Sequence, residues 1–205
     1  MVLTILTTIG SIAATLTKAV ALVGLAVQGL KIIGSAVMGI AKALFPNAFK
    51  PETTVEDLGD KAIQSGFKPE DFKSYEEYVK AVEDFKTDPE KSKQISEEMK
   101  TAKGIELSTG LLAEKAPSLQ VGDMLDYLTK NPLIMKNNTD LIAGIYKLAG
   151  KDQGAFNDIV KYMNGSEKNF DKMNNAINTI ANIQKEINPS MSNADAKDIA
   201  RSLRK

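Results

Sequence analysis

The most ordered pattern in the chain lies at its start, where Leu, Ile, Val and Ala fill most positions from Leu3 to Phe45. Small or polar residues interrupt them at Gly10, Ala14, Thr17, Ala21, Gly24, Gln28, Lys31, Ser35, Met38 and Lys42, with Gly39 beside Met38, which alone breaks the small or polar character. Steps of four and three alternate along that series, a period of about 3.5 residues, which marks a helix with one continuous seam. The polarity is inverted relative to an ordinary surface helix, because the seam is small and polar while most of the circumference is apolar. At 1.5 Å per residue such a helix would run about 60 Å, roughly twice the thickness of a bilayer core.

Beyond Pro46 the pattern changes. Pro46, Pro51, Gly59, Gly66 and Pro69 punctuate residues 47–70, which leave room for one short helix over Thr54–Ile63 with Thr53 and Glu56 as a capping box. From Asp71 onward amphipathic helices and turns alternate. Ser74 and Glu77 form a capping box before Tyr75, Tyr78, Val79, Val82 and Phe85, and Asp88–Pro89 opens a mostly charged helix through Met99 that breaks at Gly104 or Gly110. Leu119–Thr129, Thr139–Leu148 and Asp152–Met163 follow, then a helix from Ser166 with Phe170, Met173, Ile177, Ile180, Ile183 or Gln184, and Ile187 on one side, and a last one from Ser192 that buries Ile199 and Leu203. The expectation is an all-α fold: a long hydrophobic N-terminal helix (1–46), a linker with a short helix (47–70), and a bundle of about six to eight short amphipathic helices (71–205).

Charge sharpens the division. The first acidic residue is Glu52, and only Lys18, Lys31, Lys42 and Lys50 precede it, so residues 51–205 carry the compensating negative surplus of a chain with net charge +0. That balance, with two arginines among 26 basic residues, argues against nucleic acid as a partner, since phosphate binding needs clustered basic forks. Histidine and cysteine are absent, which removes the neutral-pH proton shuttle, the commonest metal ligands and any disulfide. Without a phosphate-binding loop, dinucleotide fingerprint or calcium loop, the chain reads as a non-enzyme with no cofactor and no small-molecule substrate. Glu76/Glu77 and Glu97/Glu98 read as capping or solvating pairs, because adjacent helix positions point about 100° apart. The series Lys91, Lys93, Lys100, Lys103 is interleaved with Glu90, Glu97 and Glu98 and reads as a solvated face.

An apolar circumference of this kind can be covered by lipid, by the protein's own interior, or by copies of itself. Lys18 and Lys31 divide the segment into charge-free stretches of about 17, 12 and 10 residues, shorter than a single span requires, so conditional insertion fits better than a constitutive anchor. A secretory signal is not indicated, because the start is not basic and the apolar stretch is too long. One hydrophobic helical stretch beside many amphipathic helices resembles, in architecture, the pore-forming domains of colicins and other helical pore-forming toxins. Their charge-free hairpin lies near the far end, whereas here the apolar segment comes first and carries three lysines, so no functional residue is transferred. The resemblance implies a soluble form that conceals the segment and a trigger that releases it.

The expected function is therefore that of a membrane-active protein whose N-terminal segment inserts into or perforates a bilayer, with Gly10, Ala14, Thr17, Ala21, Gly24, Gln28, Lys31, Ser35, Gly39 and Lys42 as the membrane or self-association seam. The alternative is a structural component of a virion, phage tail or contractile injection assembly, in which this helix packs on copies of itself or lines a tube. Both readings expect a lipid bilayer or copies of the chain as partner, a homo-oligomer, and a membrane-associated, secreted or virion-associated location ahead of a plain cytoplasmic one.

Overall fold

The structure, a computed structural model, describes residues 27–205. The described residues are all-helical, with eleven α-helices, one 3₁₀ turn and no strand. They divide after Pro117 into two compact units. Of the long helix expected over residues 3–45, the described part is α1 (Val27–Leu44); Leu3 to Ala26 lie outside the described residues.

The first unit comprises α1, α2 (Val55–Ser65), the 3₁₀ turn (Pro69–Asp71), α3 (Tyr75–Asp84), α4 (Pro89–Gln94) and α5 (Glu97–Lys115). Its hub is α5, which packs against α1, α2 and α3. The sequence pattern predicts a mostly charged helix here, broken at a glycine. Charge is in fact concentrated near the start of α5, and Thr101, Gly104, Ile105, Leu107, Ser108, Gly110, Leu111 and Leu112 are all buried. Gly104 and Gly110 are not breaks, because the ladder of backbone hydrogen bonds carries an isolated glycine at a cost of only about 1 kcal/mol. The break comes earlier, at Ile95–Ser96, where Ser96 caps α5 by accepting from the Met99 N–H at 3.3 Å.

The glycines are contact points. A Cβ on Gly59 would lie 1.8 Å from the Lys100 carbonyl oxygen, and one on Gly104 would lie 1.9 Å from that of Val55. Thus α2 runs antiparallel to α5 with backbone laid on backbone, an approach any side chain at either position would prevent. A Cβ on Gly110 would meet the Tyr75 ring at 2.3 Å, so this glycine is the notch that admits the first residue of α3. The N-terminus of α3 is capped twice. Ser74 accepts from the Glu77 N–H, and Glu114 of α5 accepts from the Tyr75 and Glu76 N–H groups at 2.9 and 3.2 Å.

The capping box of α2 sits one residue later than expected, with Thr54 and Asp57 bonding reciprocally at 3.1 Å. The Thr53 hydroxyl turns the other way and donates to buried Glu83.

Glu76 lies at the start of α3 between Lys115 (2.8 Å) and Lys80 (2.9 Å). Hydrogen bonds from Lys115 first and Lys80 second hold its carboxyl down at about 2, against an ordinary 4.5. A carboxyl depressed in the folded state stabilises fully above its unfolded value, and that contribution is lost as pH falls through the folded one. Glu76→Gln should therefore flatten the decline in the urea midpoint between about pH 4.5 and 2, most visibly at low salt. Parallel acid limbs for variant and wild type would sink this assignment.

The second unit comprises α6 (Val121–Lys130), α7 (Pro132–Asn137), α8 (Thr139–Ala149), α9 (Gln153–Met163), α10 (Phe170–Ile187) and α11 (Asn193–Ser202). Its core includes Met124, Leu128, Met135, Ile145, Tyr146, Phe156, Ile159, Val160, Tyr162 and Ile180. Helices α9, α10 and α11 pack in succession, and α8 packs on α9 and α10. Gly144 faces Ile183, where a Cβ would sit 2.5 Å from its methyl group. The end of the chain is held by Tyr127, whose hydroxyl donates to the Leu203 carbonyl, and by Arg204, 5.5 Å above the Tyr162 ring.

Two sequence expectations shift in this unit. Pro132 does not only close α6: it is the first residue of α7, since a proline is well suited to a helical first turn. Helix α10 starts at Phe170 with Asn169 as its cap, because Glu167 accepts the Lys168 and Asn169 N–H groups in the preceding turn. Phe170 is consequently 71% exposed, while Ala176, Ile180 and Ala181 form the buried line. With α5 separate from α4, and α7 added, residues 71–205 hold nine α-helices rather than six to eight.

Candidate functional site

The seam residues fall into two groups. Gly10, Ala14, Thr17, Ala21 and Gly24 lie outside the described residues, and Gln28 belongs to the first turn of α1. From Leu30 onward the helix separates its faces cleanly. Leu30, Ile33, Val37, Met38, Ile40 and Ala41 are buried, whereas Ser35 and Gly39 are exposed and Lys31 and Lys42 half-exposed. Full burial of an aliphatic side chain is worth about 1.5–3 kcal/mol, so this face contributes on the order of 10 kcal/mol of hydrophobic stabilisation before entropy is counted.

Contacts advance in the same direction along α1 and α5. Lys31 pairs with Glu97 at 2.9 Å, a Cβ on Gly34 would come 3.2 Å from Thr101, and Ser108 donates to the Met38 sulfur at 3.3 Å. The helices therefore run parallel. The tight glycine is Gly34, where a Cβ would also meet Val55 at 2.9 Å; at Gly39 it would meet nothing within 4 Å. The close helix packing of α1 thus lies on its apolar face, opposite the exposed pair Ser35 and Gly39.

Both described seam lysines have partners in the chain. The hydrogen bond between Lys31 and Glu97 raises the lysine's pKa and lowers the glutamate's, but with side chains 39% and 51% exposed the pair contributes little in water. Lys42 is more firmly placed. Its ammonium donates to the Pro51 and Thr53 carbonyl oxygens at 2.7 and 2.6 Å, pinning the turn that follows α1.

That turn is held a second time by Glu83, a buried carboxylate to which no sequence motif points. One of its oxygens accepts from the Thr53 hydroxyl and the Lys50 N–H (3.4 Å) and pairs with Lys61 at 3.3 Å, while the other is buried without a partner. Ala48 and Phe49 of the same turn are buried. A glutamate one position from the exposed Asp84 at a helix end has no local signature of burial.

A second buried cluster joins Asp60, Ser92 and Lys100. The Ser92 hydroxyl donates to Asp60, Lys100 donates to the Ser92 oxygen at 2.9 Å, and Lys100 lies 3.6 Å from Asp60. A serine–lysine nucleophile needs the amine to take the hydroxyl proton, whereas here that proton is directed at Asp60 and the amine donates into the pair. The arrangement therefore pins the short α4 between α2 and α5. Gln64 extends it, donating to Asp60 and accepting the Asp88 N–H, both at 2.8 Å.

The two carboxylate pairs of the sequence go separate ways. Glu76 meets Lys80 and Lys115, Glu77 accepts from the Lys73 N–H, and Glu97 meets Lys31. The lysine series likewise divides: Lys93 pairs with Glu90, Lys103 with Glu106, and Lys100 is buried. Among the described residues no group of three or more histidine, cysteine or acidic side chains could hold a metal ion, and no helix is long and apolar enough to cross a membrane. Compared with known protein families, characterised proteins and solved structures, the chain matches none of them.

Proposed function

We propose that this protein is a non-enzymatic, membrane-active helical protein whose N-terminal hydrophobic segment inserts into or perforates a bilayer. One observation carries the reading. The apolar face of α1 is already occupied by its own unit, yet the same composition continues upstream to Leu3 with Lys18 as the only charge before Lys31. Apolar side chains in that number strongly favour any surroundings that remove them from water. A bilayer supplies such surroundings, and the two helical units serve as the carrier.

The test uses the whole chain with dye-loaded liposomes. Wild type should release dye, and Leu16→Asp combined with Val20→Asp should abolish release while leaving helical circular dichroism and the urea midpoint unchanged. Intact liposomes with wild type would end this reading.

The exposure of Ser35 and Gly39 favours a second reading, in which copies of the helix pack through this face within a larger assembly. Gly39→Leu separates the two, because Gly39 is exposed and a Cβ there would meet nothing within 4 Å inside the unit. In the assembly reading, oligomers form without lipid and this substitution disperses them. Gly34→Leu cannot serve, since it disturbs the contact with Val55 whichever reading holds.

A further inference from the structure

We infer that α1 is a fixed stem: when the protein acts on a bilayer, residues 30–44 stay docked on α2 and α5, and only the chain ahead of them enters the membrane. The inference rests on the membrane-active reading and decides between two ways of carrying it out. Release of the whole hydrophobic segment, as the resemblance to helical toxins implies, would require all of α1 to leave its unit.

Among the described residues α1 is gripped along its length. Toward its N-terminal end Leu30 and Ile33 are buried, Gly34 lies tight on Val55 and Thr101, and Lys31 pairs with Glu97 at the surface. Toward its C-terminal end Val37 and Ala41 are 0% exposed, and Lys42 holds two carbonyl oxygens of the following turn. That turn is anchored in depth by Ala48, Phe49 and the buried Glu83, with Thr53, Lys61 and the Lys50 N–H around one carboxylate oxygen. Releasing α1 would break the two Lys42 bonds to the turn, open the apolar face, and uncover the glycine-lined contact of Gly34 with Val55 and Thr101. An element held along its length in this way stays docked.

The absence of native cysteine makes the question testable in the full-length chain. A Cβ on Gly34 would lie 3.2 Å from the Thr101 methyl carbon, which brings the two Cβ positions near disulfide distance, about 3.5–4.5 Å. Gly34→Cys with Thr101→Cys, and Val55→Ala to make room, should therefore lock α1 to α5 on oxidation. The expected result is equal dye release by oxidised and reduced protein. Release lost on oxidation and restored by reductant would overturn the fixed stem and leave the membrane-active reading standing.

A second measurement needs no substitution. In wild-type protein bound to liposomes, amide hydrogen exchange over α2 and α5 should match that of the free protein. Faster exchange there would mean that α1 had left, again overturning the stem alone. Wild-type protein that neither floats with liposomes nor releases dye would overturn both proposals together.

Discussion

Gly104→Ala should destabilise the first unit by about 3 kcal/mol or more, the upper range for overpacking. The added methyl would sit 1.9 Å from the Val55 carbonyl oxygen. A flexible side chain could swing away from such a contact, but a carbonyl in the first turn of α2 can move only if the helix moves. Gly59→Ala should behave alike, because its methyl would meet the Lys100 carbonyl oxygen from the other side of the same crossing. The control is Gly39→Ala on the open face of α1, where nothing lies within 4 Å and helix propensity predicts a gain of up to about 1 kcal/mol. Urea unfolding monitored in the first unit measures all three. If Gly104→Ala and Gly39→Ala shift the midpoint in the same direction, the backbone-on-backbone crossing is not what holds α2 to α5.

The second large effect belongs to Glu83. Removing one partner of a buried ion pair costs about 3–5 kcal/mol where the other is left uncompensated; Lys61 is 17% exposed and keeps its bond to the Glu83 carbonyl oxygen at 2.8 Å, so Glu83→Ala should cost about 2–3 kcal/mol. The loss should concentrate in the turn after α1, where the Thr53 hydroxyl and the Lys50 N–H also lose their acceptor. A double-mutant cycle with Lys61→Met isolates the pair. Once Glu83 is gone, Lys61→Met should cost much less than it does in wild type. Additive losses would mean that the carboxylate acts through packing rather than charge.

These two predictions bear on the proposed function through α1. The crossing of α2 and α5 builds the surface on which α1 lies, and Glu83 secures the turn at its end. A membrane-active segment attached to a loosened unit would lose the direction that the docked helix gives it. Both variants should therefore weaken dye release in proportion to the fraction unfolded, whereas Leu16→Asp with Val20→Asp should abolish release without changing the urea midpoint.

Much of the helical layout is legible in the amino-acid sequence because it is written in local chemistry. Asp88–Pro89, Asp152 and Ser192 with Asp195 start helices where expected, since a capping side chain satisfies N–H groups two or three residues away and needs no distant partner. Of the series read along α1, Lys31, Ser35 and Lys42, with the adjacent Gly39, lie on the less buried side, whereas Met38 is buried.

Other features depend on residues far away in the chain. Gly104 and Gly110 resemble breaks in the sequence, and their role is visible only once Val55 and Tyr75 are found lying on them. Thr53 reads as the cap of α2, yet Thr54 takes that place while the Thr53 hydroxyl turns to Glu83. Ser166 is a reasonable helix start until Glu167 binds the next turn's N–H groups.

Periodicity and capping chemistry state that the described chain is helical and roughly where each helix begins, because those terms act over a few residues. The choice of α5 as hub, the burial of Glu83 and the docking of α1 on α5 arise from contacts between residues tens of positions apart. Their energies come from close approach and desolvation, which no short stretch of sequence contains.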